Sequence, residues 1–213
     1  MTVSETIASG ARELGVEINP VMAQRFETFS TLLIKWADSI NLTSVTEPRR
    51  IAVSHFIDSL TVLRHIAPGS SVVDIGAGAG LPGIPLKICL PSIGLVLADS
   101  REKKVFFMKE AIRKLGLENA RAVKARAGAE DEKIGGGFDV AVSRAVAKTA
   151  EVVRLSAPLV KKGGIVLVMK GKNGAREWRE EQKSLSGAFN ETAEELKLPV
   201  SGESRFILRL EKK

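Results

Sequence analysis

Between Pro20 and Ile40 the apolar residues Val21, Phe26, Phe29, Leu33, Trp36 and Ile40 recur at the spacing of an amphipathic helix. Asn41-Leu42-Thr43 interrupts that pattern. Glu47-Pro48 then opens a second helix, with the proline near the first turn, where its missing N–H leaves no bond unmade. The apolar positions of this helix, Ile51, Val53, Phe56, Ile57, Leu60 and Leu63, run toward Pro68-Gly69, and His65 near its end is read as a C-terminal cap. The pattern therefore predicts a helical N-terminal extension over residues 1–66 and a differently built domain over 67–213.

After Gly69 the period shortens. Strands are predicted at Ser71–Ile75, Gly94–Ala98, Ala120–Lys124, Asp139–Ser143 and Gly164–Met169. Helices are predicted between them at Ile84–Leu90, Lys103–Leu115 and Lys148–Val160, with Phe106, Met108 and Ile112 as a core stripe. Strands alternating with helices imply an α/β fold with a parallel sheet and helices on both faces. Downstream, a polar helix near Ala175–Leu185 precedes two runs, Glu194–Val200 and Ser204–Leu210, around Ser201-Gly202. These read as an antiparallel hairpin added to the sheet edge.

Composition narrows the classes. With 213 residues and 44% apolar content the chain can build a substantial core. It has no apolar run long enough for a bilayer span and no basic-then-apolar start of a signal peptide, so a cytoplasmic, membrane-free protein is expected. The single Cys89 cannot close an internal disulfide, and no Cys/His cluster has metal-ligand spacing, so no metal is expected. The net charge of +7 points to an anionic partner such as nucleic acid. Most of the excess lies late: Arg101 to Arg126 holds nine Lys/Arg against three Glu. Aromatic residues are few and Tyr is absent, which argues against a platform for several stacked bases.

The chemistry gathers around Val72-Val73-Asp74-Ile75-Gly76-Ala77-Gly78-Ala79-Gly80, a buried strand entering a glycine-rich turn. Ligands of open α/β sheets bind at the carboxyl ends of strands, and glycines let a backbone approach them closely. Gly78-Ala79-Gly80-Leu81-Pro82-Gly83 also fits the dinucleotide pattern G-x-G-x-x-G, a weak signal alone. That register leaves Asp74 buried without a purpose, and it puts Pro82 where helix amides should gather around pyrophosphate. The register D-x-G-x-G-x-G uses Asp74, Gly76, Gly78 and Gly80 and favours S-adenosylmethionine. Asp99, ending the second strand, stands where an acid would chelate ribose hydroxyls; its plainer reading is a cap on the next helix.

These motifs occur in order with Asn41-Leu42-Thr43-Ser44-Val45, His55-Phe56-Ile57-Asp58-Ser59-Leu60, Phe138-Asp139, Ser143-Arg144-Ala145 and Met169-Lys170-Gly171. Together they resemble the RsmG (GidB) family of bacterial 16S rRNA guanine-N7 methyltransferases, over roughly residues 20–175. The resemblance implies a class I, Rossmann-like, seven-stranded methyltransferase sheet carrying the helical extension. It implies methyl transfer from S-adenosylmethionine, leaving S-adenosylhomocysteine, to N7 of one guanine in the decoding region of 16S rRNA. Gly76 and Leu81 would line the cofactor, Asp99 would hold the ribose, and Arg144 would meet the cofactor or the target edge as the catalytic candidate. The family carries an acid where this chain has Gly128, so only backbone contacts from Ala127 and Gly128 carry over.

The residues suit that chemistry. Guanine N7 has an in-plane lone pair and no proton, so its methylation needs no general base. Val142-Ser143-Arg144-Ala145 follows the fourth strand in place of the Asn/Asp-Pro-Pro-Tyr/Phe that amine methylation uses, and Cys89 reads as core rather than nucleophile. Arg144 cannot act as a base, but it can donate to guanine O6 or to a carboxylate. Lys170 and Lys172, at the rim of the fifth strand, are candidate RNA phosphate contacts. His55 and Asp58 share one helix face, where Asp58 is either a lid residue or a partner of His55 or of the loop after Asn41. A small-molecule methyltransferase and a non-catalytic RNA-binding protein retaining the cofactor remain alternatives. The expected partner is 16S rRNA in the small subunit, with the protein a monomer.

Overall fold

Alternation along the strands sends neighbouring side chains to opposite faces of one sheet, and two separate apolar cores follow from it. A computed structural model describes residues 2–125, 132–144, 148–182 and 187–213. Its seven strands lie in the order β3-β2-β1-β4-β5-β7-β6. They are β1 Ser71–Ile75, β2 Gly94–Asp99, β3 Ala120–Lys124, β4 Phe138–Arg144, β5 Val160–Lys170, β6 Phe189–Lys197 and β7 Ser204–Lys212. The first five pair in parallel, while β7 runs antiparallel to both β5 and β6.

The strand order reverses beside β1: β2 lies on one side and β4 on the other. A cleft opens at such a switch point, at the strands' carboxyl ends. Val72, Leu95, Leu97, Val140, Val142 and Leu167 pack toward one face with residues of the first helices. Val73, Ile75, Val96, Ala141, Val166 and Val168 pack toward the other with Val152, Val153 and Trp178. The N-terminal helices therefore share a core with the sheet.

Local signals fix the helix ends. In α1, Val3–Glu13, Thr2 and Glu5 close a capping box. In α2, Pro20–Ile40, the Asn19 side chain accepts from Met22 N–H, and Asn41 ends the helix in a left-handed conformation with φ 49°. The next rod starts as α3, Pro48–Ile51, widens to a π-helix over Ala52–Ile57 and finishes as α4, Asp58–Leu60. The helices α5, Gly83–Cys89, and α6, Glu102–Leu115, follow β1 and β2. The helices α7, Thr149–Ser156, and α8, Gly174–Glu181, follow β4 and β5. No helix among the described residues is long and apolar enough to cross a membrane.

Several expectations need correction. The helix expected to reach Val160 ends at Ser156, because Val160 already pairs with Phe138 as the start of β5. The outer strand begins at Phe189, five residues before the expected Glu194, since its partner β7 extends to Lys212. Val21 and Phe106 are each 60% exposed rather than core. His65 caps nothing; its imidazole faces Glu194 on β6 at 3.3 Å. Ala127 and Gly128 lie outside the described residues.

Candidate active site

At the carboxyl end of β1 the chain must turn sharply, and Gly76, Gly78 and Gly80 do so with φ of 69°, 58° and 77°. This left-handed region is readily open only to glycine. The turn forms one wall of a cavity of about 530 Å³, a size suited to a small-molecule ligand. Gly76, Gly78 and Leu81 line it from this side, and Leu42, Thr43, Ser54, His55 and Asp58 face them from the extension. Arg144, Met169, Lys170 and Arg205 come from the ends of β4, β5 and β7.

Asp99 is buried at the end of β2, 8% exposed, and holds the loop that lines the cavity without itself being among the lining residues. Its Oδ2 accepts from Gly78 N–H at 3.0 Å and its Oδ1 from Arg101 N–H at 2.9 Å. The plainer reading as a helix cap does not hold: the N-cap of α6 is Arg101, with no side-chain capping bond, and there Asp99 bonds only the N–H that precedes the helix. A carboxylate has about four acceptor sites, so these two bonds leave room for hydroxyl donors.

Asp74 does not reach the cavity. It is fully buried, and its Oδ2 accepts from Gly83 N–H at 2.8 Å, which caps α5 where Pro82 contributes no side-chain bond. Gly80 likewise lies behind the wall, where a Cβ would fall 2.4 Å from Ile84 Cδ1. Asp74 Oδ1 is buried with no partner among the described residues. Burial pushes this carboxyl up to about 7, partly offset by the Gly83 bond and by Arg144.

That shift has a signed consequence. Between the ordinary value of 3.8 and about 7, the folded chain keeps a proton that the unfolded chain has released. Stability from Asp74 is therefore fully present below pH 4 and falls as pH rises toward 7. The full difference corresponds to at most ~4 kcal/mol. Asp74→Asn should remove that slope: its melting temperature relative to wild type should rise from pH 5 to pH 7.5. Parallel pH profiles for the two proteins would contradict the assignment.

Asp58 is held between two guanidiniums. Its Oδ2 accepts from Arg144 Nη1 at 3.1 Å and its Oδ1 from Arg205 Nε at 2.7 Å. Arg144 Nη1 also donates to Ser54 O at 3.1 Å. The π-helix makes this possible: Asp58 N–H reaches back five residues to Val53 O and leaves the Ser54 carbonyl for the guanidinium. Of the roles left open for Asp58, neither a bond to His55 nor one to the loop after Asn41 is formed; its partners are the two arginines. It is His55 that serves the loop after Asn41, through Nε2 and Thr43 Oγ1 at 2.8 Å. Burial first, and Arg144 second, hold its imidazole down at about 4, so it is neutral near pH 7.

Among the sequence candidates, Arg144 and Lys170 line the cavity and Lys172 lies outside it, beside Lys197 and Arg205. Lys170 pairs with Glu177 at 3.1 Å. Thr43, Lys104 and Arg205 were not singled out by sequence; Arg205 stands 147 residues from its partner Asp58, and no spacing rule joins them. Among the described residues, Lys104, Arg144, Lys170 and Arg205 line the cavity; Asp58 pairs with both arginines, Glu203 with Arg205 and Glu177 with Lys170, so four cations meet three carboxylates. This excess of positive charge suits an anionic ligand group. Cys89 is set apart from this chemistry, with burial pushing its thiol up to about 12.

Residues 22–205 match a family model described as rRNA small subunit methyltransferase G. A protein named Ribosomal RNA small subunit methyltransferase G from Pelotomaculum thermopropionicum is 41% identical, covering 99% of this chain and 90% of that one. A relative of the same name from Bacillus subtilis is 31% identical over 98% of this chain and 90% of its own length. Among solved structures, a SAM dependent methyltransferase from Aquifex aeolicus superposes with a TM-score of 0.61 at 16% identity, covering 78% of this chain and 94% of that one. The precorrin-6y C5,15-methyltransferase of Geobacter metallireducens gives 0.56 at 14% identity, covering 82% and 92%. At such identities the structural likeness establishes the fold alone, the Rossmann-like methyltransferase sheet.

Proposed function

Because the chain belongs to the rRNA small subunit methyltransferase G family, we propose that it methylates N7 of a guanine in 16S rRNA of the small subunit, using S-adenosylmethionine. The observation that carries this reading is the glycine-walled cavity at the switch point, with Arg144 held at its rim by Ser54 O and Asp58. The bound cofactor supplies an activated methyl group on a sulfonium. In this reading Gly76, Gly78 and Leu81 cradle it and Asp99 accepts from its ribose hydroxyls. Asp74 and Gly80 act indirectly, by holding the loop and α5 in place.

Arg144 orients the reacting partners. A guanidinium held at Nη1 by Ser54 O and Asp58 keeps its orientation while its remaining N–H groups can donate to guanine O6 or to a carboxylate. No residue needs to remove a proton, since N7 carries none. Catalysis then rests on alignment, which can supply roughly 7–11 kcal/mol. The major groove of A-form RNA is too deep and narrow for side chains, so the target guanine is an unpaired or loop base. Lys170 and Lys172 are assigned to phosphates near it. Residues 1–66 form the lid side of this arrangement and residues 67–213 the methyltransferase domain.

Incubating the protein with methyl-labelled S-adenosylmethionine and hypomethylated small subunits should yield labelled 7-methylguanosine on nucleoside analysis. Labelling of a different nucleoside, or none, would overturn the proposal.

A further inference from the structure

The helices α2 and α6 pack antiparallel. Arg25, early in α2, donates to Gly116 O beyond the end of α6, while Trp36, late in α2, meets Phe106 and Phe107 near the start of α6. Both helices therefore bring their site-proximal ends to the cavity. Leu42, Thr43 and Ser44, just past α2, line it, as does Lys104 in the first turn of α6. Phe106 is two residues beyond Lys104, ~3 Å further along the helix axis but about 200° around it, so it stands on the outer face of α6 and not in the cavity lining.

The two adjacent phenylalanines have opposite fates. Phe107 is fully buried, with Phe29 at 6.5 Å and Trp36 at 5.9 Å. Phe106 is 60% exposed and rests against Trp36, ring centroids 5.8 Å apart and tilted by 49°. A lone exposed apolar residue is ordinary. This ring differs in being backed by a second aromatic and in standing on the outer face of the α6 end that Lys104 brings to the cavity.

Its surroundings are basic. Lys103 and Lys109, one turn to either side on α6, are exposed, as is Lys35 beside Trp36 on α2. Lys35 lies close enough to act on the charge of Glu110, which is itself bonded to Arg113. Glu102 pairs with Lys124 at 3.0 Å, and Asp38, one turn beyond Lys35 on α2, is a third acid on this side and is exposed. Glu110 and Glu102 are thus matched by cations, and Lys35, Lys103 and Lys109 outnumber Asp38, so the remaining field around the ring is positive. A rigid aromatic face inside a positive field is the arrangement that takes a nucleobase by its π-face and the adjoining backbone by charge.

We propose that Phe106, backed by Trp36 and flanked by Lys35, Lys103 and Lys109, is a single-base stacking platform for an unpaired base of the RNA substrate near the methylated guanine. This rests on the rRNA reading given above. It assigns to the α2–α6 ridge a contact outside the cavity, so the substrate is held at two places, the reacting base within and a neighbour on the ridge.

The test compares Phe106→Ala, Phe106→Leu and Phe106→Tyr for binding to hypomethylated small subunits, measured separately from methyl transfer. S-adenosylhomocysteine affinity and melting temperature serve as controls for integrity. Loss of one base–aromatic stack should weaken subunit binding roughly 5- to 150-fold in Phe106→Ala. Phe106→Leu should be nearly as weak, and Phe106→Tyr close to wild type. The slope of affinity against salt should stay as in wild type for Phe106→Ala but drop by about one charge for each of Lys103→Gln and Lys109→Gln.

Unchanged subunit affinity in Phe106→Ala overturns the platform. So does full affinity in Phe106→Leu, which would mean a general apolar contact with a protein. A wild-type dimer in sedimentation that Phe106→Ala converts to monomer also overturns it. Failure of wild type to form 7-methylguanosine would instead strike at the catalytic reading, because binding is read on its own.

Discussion

Gly83→Ala should unfold the site from its foundation. A Cβ at this position would sit 2.4 Å from Leu97 Cδ2 and 2.9 Å from Asp74 Oδ2. Both neighbours are fully buried, so neither can swing into solvent to make room. Overpacking of this kind costs about 1–3 kcal/mol. The same displacement lengthens the Gly83 N–H to Asp74 bond, and leaving a buried polar group poorly paired adds about 1–3 kcal/mol. A fall in melting temperature of about 10 °C is expected for a chain of this size.

Because α5 starts at Gly83, its shift carries residues 76–82 with it, and affinity for S-adenosylhomocysteine should fall below detection. Gly94→Ala is the control. A Cβ there meets nothing within 4 Å, so both properties should stay at wild-type values. Calorimetry and thermal denaturation on the three proteins decide the matter. A Gly83→Ala protein that melts and binds like Gly94→Ala would show that the contact between α5 and β2 is not rigid.

Asp58→Ala is expected to damage activity more than any change at the rim. The carboxylate is 9% exposed and lies between guanidiniums that are 17% and 16% exposed. Removing it leaves two cations facing each other with their shared counterion gone. Breaking a buried charged group in this way costs about 3–5 kcal/mol, here toward the lower end because water reaches the arginines. Arg144 would also lose one of two bonds that fix its direction. A misplacement of about 1 Å at such a group lowers turnover on the order of 100-fold. Asp58→Asn keeps an acceptor without the charge and should fall between alanine and wild type in both melting temperature and kcat/KM. Wild-type kinetics in Asp58→Ala would remove Arg144 from its assigned role.

The two predictions differ in how far they could be read along the chain. The glycine-rich turn was legible, since a buried strand, Asp74 and three glycines lie within seven residues. Even so, which glycines face the ligand was not. Gly83 matters through a strand 14 residues away, where Leu97 fills the space its absent side chain leaves. Asp58 posed the same difficulty more severely. Its spacing from His55 suggested a local pair, yet its partners are 86 and 147 residues away.

The two phenylalanines of α6 show the limit for the core. Helical periodicity identifies a buried face but tolerates an error of one residue where two large apolar side chains adjoin. Reading Phe106 as core placed the face one residue off. The decision between them falls to Trp36 and Phe29, which come from α2 and close over Phe107.

By itself the sequence determined what depends on short separations: the strand and helix periods, the glycine turn, the acid ending β2, and an ordered set of motifs specific enough to indicate the family. Tertiary structure alone decided which polar groups share a buried space. It set Asp58 between Arg144 and Arg205, put Asp74 behind the cavity wall, and left Phe106 in solvent on the outer face of α6. The physical reason is that backbone geometry and side-chain period act over a few residues. Burial, desolvation and ion pairing depend instead on which distant segments the folded sheet brings together.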